Sequence, residues 1–234
     1  MARTKATSEK QSEKTAGSAI SISLVAAMLS LLLFAWLAEE VLESETLRFD
    51  NYVRAGVHSW ASPGLTRLMQ IMSWIGSINF LGGFVVFCVA LLLYLRWRRA
   101  ALLVLVAVAG AIPLDTILKV AFHRARPDPF FGTPLPASYS FPSGHALFSV
   151  CVFGVLAAVT TARVRQSWVR AVVWSFAAAL VLLIGLSRIY LGVHYPSDVV
   201  AGYLAAAIWV STIAVVDRWW RRRVQARARR NTAA

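Results

Sequence analysis

The 234-residue chain is 58% hydrophobic and only 15% charged, with a mean hydropathy of +0.62. Soluble domains run near half apolar and a quarter charged, so this composition excludes a disordered chain and argues against a water-soluble fold. The net charge is nonetheless +13, and the charges sit between long apolar runs and at both termini, as membrane topology requires and nucleic-acid binding does not.

A membrane-crossing helix takes about 20 mostly apolar residues. In chain order, the runs that meet this are Ser18–Leu37, Ser77–Leu95, Ala101–Leu118, His145–Thr161, Ala171–Leu186 and Val199–Val216. The first is expected to remain a span and not act as a removable signal peptide, because Ala16-Gly17-Ser18 precedes the apolar run instead of following it. The stretch from Leu65 to Trp74 is broken by Arg67 and Gln70. It reads as an interfacial or partly buried helix leading into the second span. Cys88 and Cys151 lie inside apolar runs and read as small buried hydrophobes. The expected fold class is all-α, a six-span transmembrane helical bundle over residues 18–216, with tails at 1–17 and 217–234.

Six spans place both termini on one face. That face collects Arg3, Lys5, Lys10 and Lys14, then Arg96, Arg98 and Arg99, then Arg163, Arg165 and Arg170, and finally the tail arginines from Arg218 to Arg230. The other face holds Arg48, Arg54, Arg67, Lys119, Arg124, Arg126 and Arg188 beside the acidic Glu39, Glu40, Glu43, Glu45 and Asp50. The positive-inside rule then makes both termini cytoplasmic. The basic tail becomes a topology anchor near anionic headgroups, with Trp219 and Trp220 as interfacial anchors and no role for nucleic acid.

Basic residues on the outer face run against that rule and need a reason. Three segments carry them beside other reactive groups: KVAFHRARP from Lys119, FPSGHA around Ser143, and SRIYLGVHYPSD from Ser187 to Asp198. All fall at the outer ends of successive helices, where a bundle brings them together. Lys119, Arg126 and Arg188 supply three cations, two of them guanidiniums that grip oxyanions bidentately. Ser143 and Gly144 open a helix, adding a hydroxyl, free backbone N–H groups and close backbone approach. Such a set makes a phosphate cradle. His194, four residues before Asp198, can be held in one tautomer by that carboxylate, leaving its other nitrogen as nucleophile or base. His145 beside the cradle can give a proton to a leaving oxygen.

Neighbouring residues take lesser expectations. Asp115 lies one helical turn before Lys119 and is expected to orient it. Tyr190 packs over the site or anchors at the interface. His123 and Arg124 read as loop residues and His58 as structural.

Lys-x6-Arg-Pro, then Pro-Ser-Gly-His, then Ser-Arg-x5-His-x3-Asp, complete and in order between Lys119 and Asp198, resembles the signature of the type 2 phosphatidic acid phosphatase superfamily. The resemblance implies a helical bundle and hydrolysis of a phosphate ester or anhydride with no metal or other cofactor. In those terms His194 attacks phosphorus to form a phosphohistidine, Asp198 partners it, and His145 protonates the leaving group. Lys119, Arg126, Arg188, Ser143 and Gly144 hold the phosphate oxygens. The expected substrate is an amphiphilic phosphorylated lipid: phosphatidic acid, phosphatidylglycerol phosphate or a polyprenyl diphosphate such as undecaprenyl diphosphate. The expected place is the cytoplasmic membrane, with the site facing outside. Two alternatives stand beside this reading. One is a transport or binding protein for a phosphorylated lipid, which leaves the histidines unexplained. The other is a vanadate-dependent haloperoxidase-like enzyme, which the apolar spans oppose.

Overall fold

The computed structural model describes the backbone of residues 2–132 and 135–233; side chains at 2–20, 225 and 228–233 lie outside the described set, and with them Arg3, Lys5, Lys10, Lys14, Arg229 and Arg230. Among the described residues every regular element is helical. In order they are α1 (Ala2–Leu42), α2 (Thr46–His58), α3 (Pro63–Ile75), α4 (Ile78–Tyr94) and α5 (Arg98–Phe122). After a long loop come α6 (Gly144–Ser149), a π-helical turn (Val150–Gly154), α7 (Val155–Thr161), α8 (Ser167–Tyr190) and α9 (Pro196–Ala233).

Among the described residues, five segments are long and apolar enough to cross a membrane alone: Ser21–Leu42, Arg98–Phe122, Gly144–Thr161, Ser167–Tyr190 and Pro196–Val224. The sixth forms only when α3 and α4 are taken together across a 54° bend. This agrees with a partly buried helix feeding the second span. Ser62 starts α3 by accepting from the Leu65 amide and Ser77 starts α4 by accepting from Phe80, so the bend is capped on its α4 side. Most spans outrun the apolar windows read from sequence, because their ends carry Arg98, Arg188 and similar residues into the headgroup layer.

Burial ranks the spans. The α6–α7 span is 56% buried, against 11–28% for the other four single spans, so it is the central post. Leu147, Cys151 and Val152 pack there against Val104, Ala107 and Ala111 of α5 and Ala205 and Ala206 of α9. Small side chains let these helices approach closely, as membrane packing favours. α1 lies along α9, α3 lies on α8, and α4 on α5. The exposed apolar side chains of the outer helices, such as Leu32, Phe87, Ile117 and Phe176, complete a surface suited to lipid. Cys88 and Cys151 are both free and buried, as expected of small hydrophobes.

Candidate active site

The three motif segments meet at one end of this bundle. Lys119 stands at the last turn of α5, Ser143 and His145 at the start of α6, Arg188 at the last turn of α8, and Asp198 in the first turn of α9. His194 sits in the short connection between α8 and α9. Several bonds fix that connection: Phe130 N–H to Leu191 O (3.0 Å), Val193 N–H to Arg188 O (3.1 Å), and Arg54 Nη2 to Gly192 O (3.2 Å). Gly192 has φ +76°, and a Cβ there would come within 2.5 Å of the Phe130 amide nitrogen, so the turn requires glycine.

His194 is held on both ring nitrogens. Nδ1 lies 3.2 Å from Asp198 Oδ2, and Nε2 lies 3.0 Å from Arg126 Nη1. A guanidinium only donates, so Nε2 carries the lone pair and Nδ1 carries the proton that Asp198 accepts. Burial pushes the His194 pKa down to about 4, against the opposing pull of Asp198 and with Arg126 and Arg188 adding to the fall. A neutral imidazole with its Nε2 lone pair aimed at the Arg126 guanidinium has the form a histidine nucleophile requires. Arg126 is itself braced, donating to Ser138 O (2.8 Å), Val193 O (3.0 Å) and Tyr139 O (3.2 Å).

The remaining predicted residues surround this pair. Lys119 Nζ pairs with Asp115 Oδ1 at 2.5 Å, as the one-turn spacing predicts. A Cβ on Gly144 would stand 3.2 Å from both partners, so the glycine lets that pair lie against the backbone. Ser143 ties the second motif to the third, its N–H donating to Asp198 O at 2.9 Å. Arg188 reaches Ser73 Oγ on α3, and His145 bonds the Ser73 backbone. His145 lies within electrostatic reach of Arg188, His194 and Lys119. Ser143 Oγ and Arg188 Nε are buried without a partner among the described residues. A buried unsatisfied donor costs about 1–3 kcal/mol, so both await an acceptor. A cleft of about 460 Å³ opens onto His145 and Arg188 and is walled by Ser73, Trp74 and Phe131.

Two features go beyond the sequence reading. Arg124 lies in the loop after α5, as expected, but there it bridges two buried carboxylates, donating to Asp198 Oδ1 at 2.6 Å and Asp50 Oδ2 at 2.8 Å. Asp50 in turn accepts from Ser197 N–H (3.0 Å) and Ser197 Oγ–H (2.6 Å). Arg124, Asp50 and Ser73 were the residues sequence reasoning missed. The available signals were a second arginine beside Arg126 on the disfavoured face and an aspartate in the acidic first loop. Tyr190 is buried, with its hydroxyl 2.7 Å from Thr66 Oγ1, so it pins α3 to α8 and is no interfacial anchor. His58, read as structural, stacks on Phe130 at 4.0 Å.

Residues 99–223, a little over half of the chain and containing every motif residue, match the model of the PAP2 superfamily. The chain belongs to the PAP2 superfamily. It is 32% identical over 142 residues to phosphatidylglycerophosphatase B of Bacillus subtilis, spanning 60% of this chain and 70% of that protein. An undecaprenyl-diphosphatase of Sulfolobus acidocaldarius is 32% identical over 53% of this chain, but only 58% of its own length is covered. Among solved structures, a transmembrane PAP2-type phosphatidylglycerolphosphate phosphatase from Bacillus subtilis superposes with a TM-score of 0.76 at 27% identity. That match covers 82% of this chain and 95% of the other. This PAP2 member is therefore a multi-pass membrane protein and an enzyme, a lipid phosphate phosphatase.

Proposed function

We propose that the chain hydrolyses a lipid phosphate monoester or diphosphate at the cluster around His194, through a phosphohistidine. The observation that carries this reading is the orientation of His194: Nδ1–H on Asp198, Nε2 toward Arg126. Arg126, Lys119 and Arg188 take the phosphate oxygens, with Ser143 Oγ and Arg188 Nε supplying the buried donors that lack partners. Nε2 attacks phosphorus in line with the leaving oxygen, the P–O bond to lipid breaks, and His145 gives that oxygen its proton. Water, deprotonated by the now neutral His145, then cleaves the P–N bond and restores His194.

Phosphatidylglycerol phosphate, phosphatidic acid and undecaprenyl diphosphate are the substrate candidates, and the names of two relatives favour the first and third. The site lies at helix ends, at headgroup depth, where an amphiphile can enter sideways. In this reading residues 18–216 form the phosphatase domain between tails at 1–17 and 217–234. Both termini are cytoplasmic, the membrane is the inner one, and the site faces outward. Three cations already line the cradle and the Asp198 carboxylate is taken up by His194 and Arg124, so in this reading hydrolysis proceeds without a resident metal. Phosphate release from a panel of these lipids by the purified protein in EDTA tests the proposal. Release from at least one, inhibited by vanadate, is expected. Binding without release supports the carrier alternative, and strict dependence on added divalent metal sinks this mechanism.

A further inference from the structure

The helices that carry the catalytic cluster reach a second charged cluster at their opposite ends. From Lys119 back to Arg99, α5 runs roughly 30 Å at 1.5 Å per residue, about one hydrocarbon core. There a cleft of about 230 Å³ lies between α5, α7 and α9. Arg99, Arg163, Arg218 and Arg221 line it, against the single carboxylate of Asp217. Asp217 is shared, accepting from Arg99 Nε at 2.8 Å and lying 3.5 Å from Arg221 Nε. Arg163 stacks over the Trp97 ring at 4.0 Å, which aims its guanidinium without neutralising it. Among the described residues of the lining four cations face one anion, and Arg218 also donates to Ser23 Oγ of α1. Beneath the arginines the wall turns apolar, with Leu103, Val155, Val210 and Ile213.

A charged mouth over an apolar shaft has the two-part chemistry of a phospholipid. A soluble anion would satisfy the arginines but leave the shaft wet. A neutral lipid would fill the shaft but leave the guanidiniums crowded in a partly desolvated recess. We propose that this cleft binds an anionic phosphodiester phospholipid from the leaflet opposite the active site, its phosphate on the arginines and a chain along the shaft. Among the described residues the lining holds no histidine, lysine, serine or cysteine, so the lipid is proposed to be held there and not processed. Bound, it bridges α5, α9 and the α6–α7 span, whose opposite ends carry Lys119, Asp198 and His145.

The test uses the full-length protein, delipidated in detergent, with native mass spectrometry and thermal melting against phosphatidylglycerol or phosphatidylcholine. Wild type is expected to retain, and be stabilised by, phosphatidylglycerol in preference. Each arginine near an anionic headgroup is worth about fivefold in affinity, so Arg163→Gln with Arg218→Gln should weaken binding roughly 25-fold. Arg165→Gln with Arg170→Gln, exposed at the same end but outside the cleft, should leave it unchanged. Arg163→Lys with Arg218→Lys keeps the charge and guards against misfolding as the cause of any loss. The proposal is overturned if wild type shows no preference, or if the outer pair costs as much as the cleft pair, which would mean diffuse surface attraction. Glycerol phosphate competing as well as the lipid would also overturn it, assigning the cleft to a soluble anion.

Discussion

At the scale of single residues, the proposed mechanism gives His194 and His145 separable roles. His194→Ala removes the nucleophile, so both turnover and acid-labile ³²P label on the protein should vanish in rapid quench. His145→Ala should keep phosphate binding and lose about 10²- to 10⁴-fold in turnover of a lipid ester, as removal of a general acid does. That loss should shrink for an aryl phosphate, whose leaving group departs without a proton. Equal losses for both substrates would remove His145 from the acid role. The acid limb assigned to His194 follows from its burial. Its pKa of about 4 keeps it neutral well below the ordinary 6.5, so kcat/KM should not fall for want of the nucleophile until about pH 4. The same shift costs stability in acid. Between pH 6.5 and about 4 the unfolded chain binds a proton that the native His194 refuses, so stability should decline as pH falls, by up to about 1.4 kcal/mol per unit. His194→Ala should flatten that slope in detergent melts.

At the scale of elements, the Asp50–Arg124–Asp198 bridge joins α2, the loop after α5 and the N-terminus of α9. Arg124 holds Asp198, and Asp198 holds His194, so in the proposed mechanism this chain of contacts positions the nucleophile without touching substrate. Arg124→Ala would strand two buried carboxylates, a loss of about 3–5 kcal/mol for a buried pair broken on one side. A milder change separates positioning from folding. Arg124→Lys keeps a cation but cannot span both carboxylates, so kcat should fall with KM little changed. Arg126→Lys, on the phosphate itself, should raise KM as well. A matching KM rise in Arg124→Lys would place that residue among the phosphate ligands instead. Adding Asp50→Asn to Arg124→Gln should cost less than the two single losses summed, because the second change removes a charge the first left unpaired.

For the whole molecule, the sorted charges make a topological prediction. Reporters fused after Arg230 or within the Arg96–Arg99 loop should read cytoplasm, and one near Asp50 should read outside. The end that gathers the motif residues holds its cations against partners: Lys119 on Asp115, Arg124 on Asp50 and Asp198, Arg126 on His194. They are expected to weigh little in orientation, since carboxylates and the cradle already hold them. An external tail would reverse the bundle and move the substrate pool to the other leaflet. The same polarity places the arginine-lined cleft among anionic inner-leaflet lipids, so the reporters also bear on where that lipid comes from.

Sequence alone determined the membrane class, the approximate spans and the family motifs, because those are written locally: apolar runs of bilayer length, and motifs with fixed spacing. The Asp115–Lys119 and His194–Asp198 pairs were legible for the same reason, each being four residues apart near a helix end. Tertiary structure alone decided which span is central. Lipid is as apolar as a protein core, so the α6–α7 span, at mean hydropathy 1.8 against 2.2–2.3 for the others, still reads as one more apolar span, while packing buries it twice as deeply or more. The bridge through Arg124 also escaped, since Asp50 lies 74 residues away in sequence and no local period links them. Tyr190 was undecided for a like reason: its partner Thr66 is 124 residues distant, and only the docking of α3 on α8 brings the two hydroxyls together.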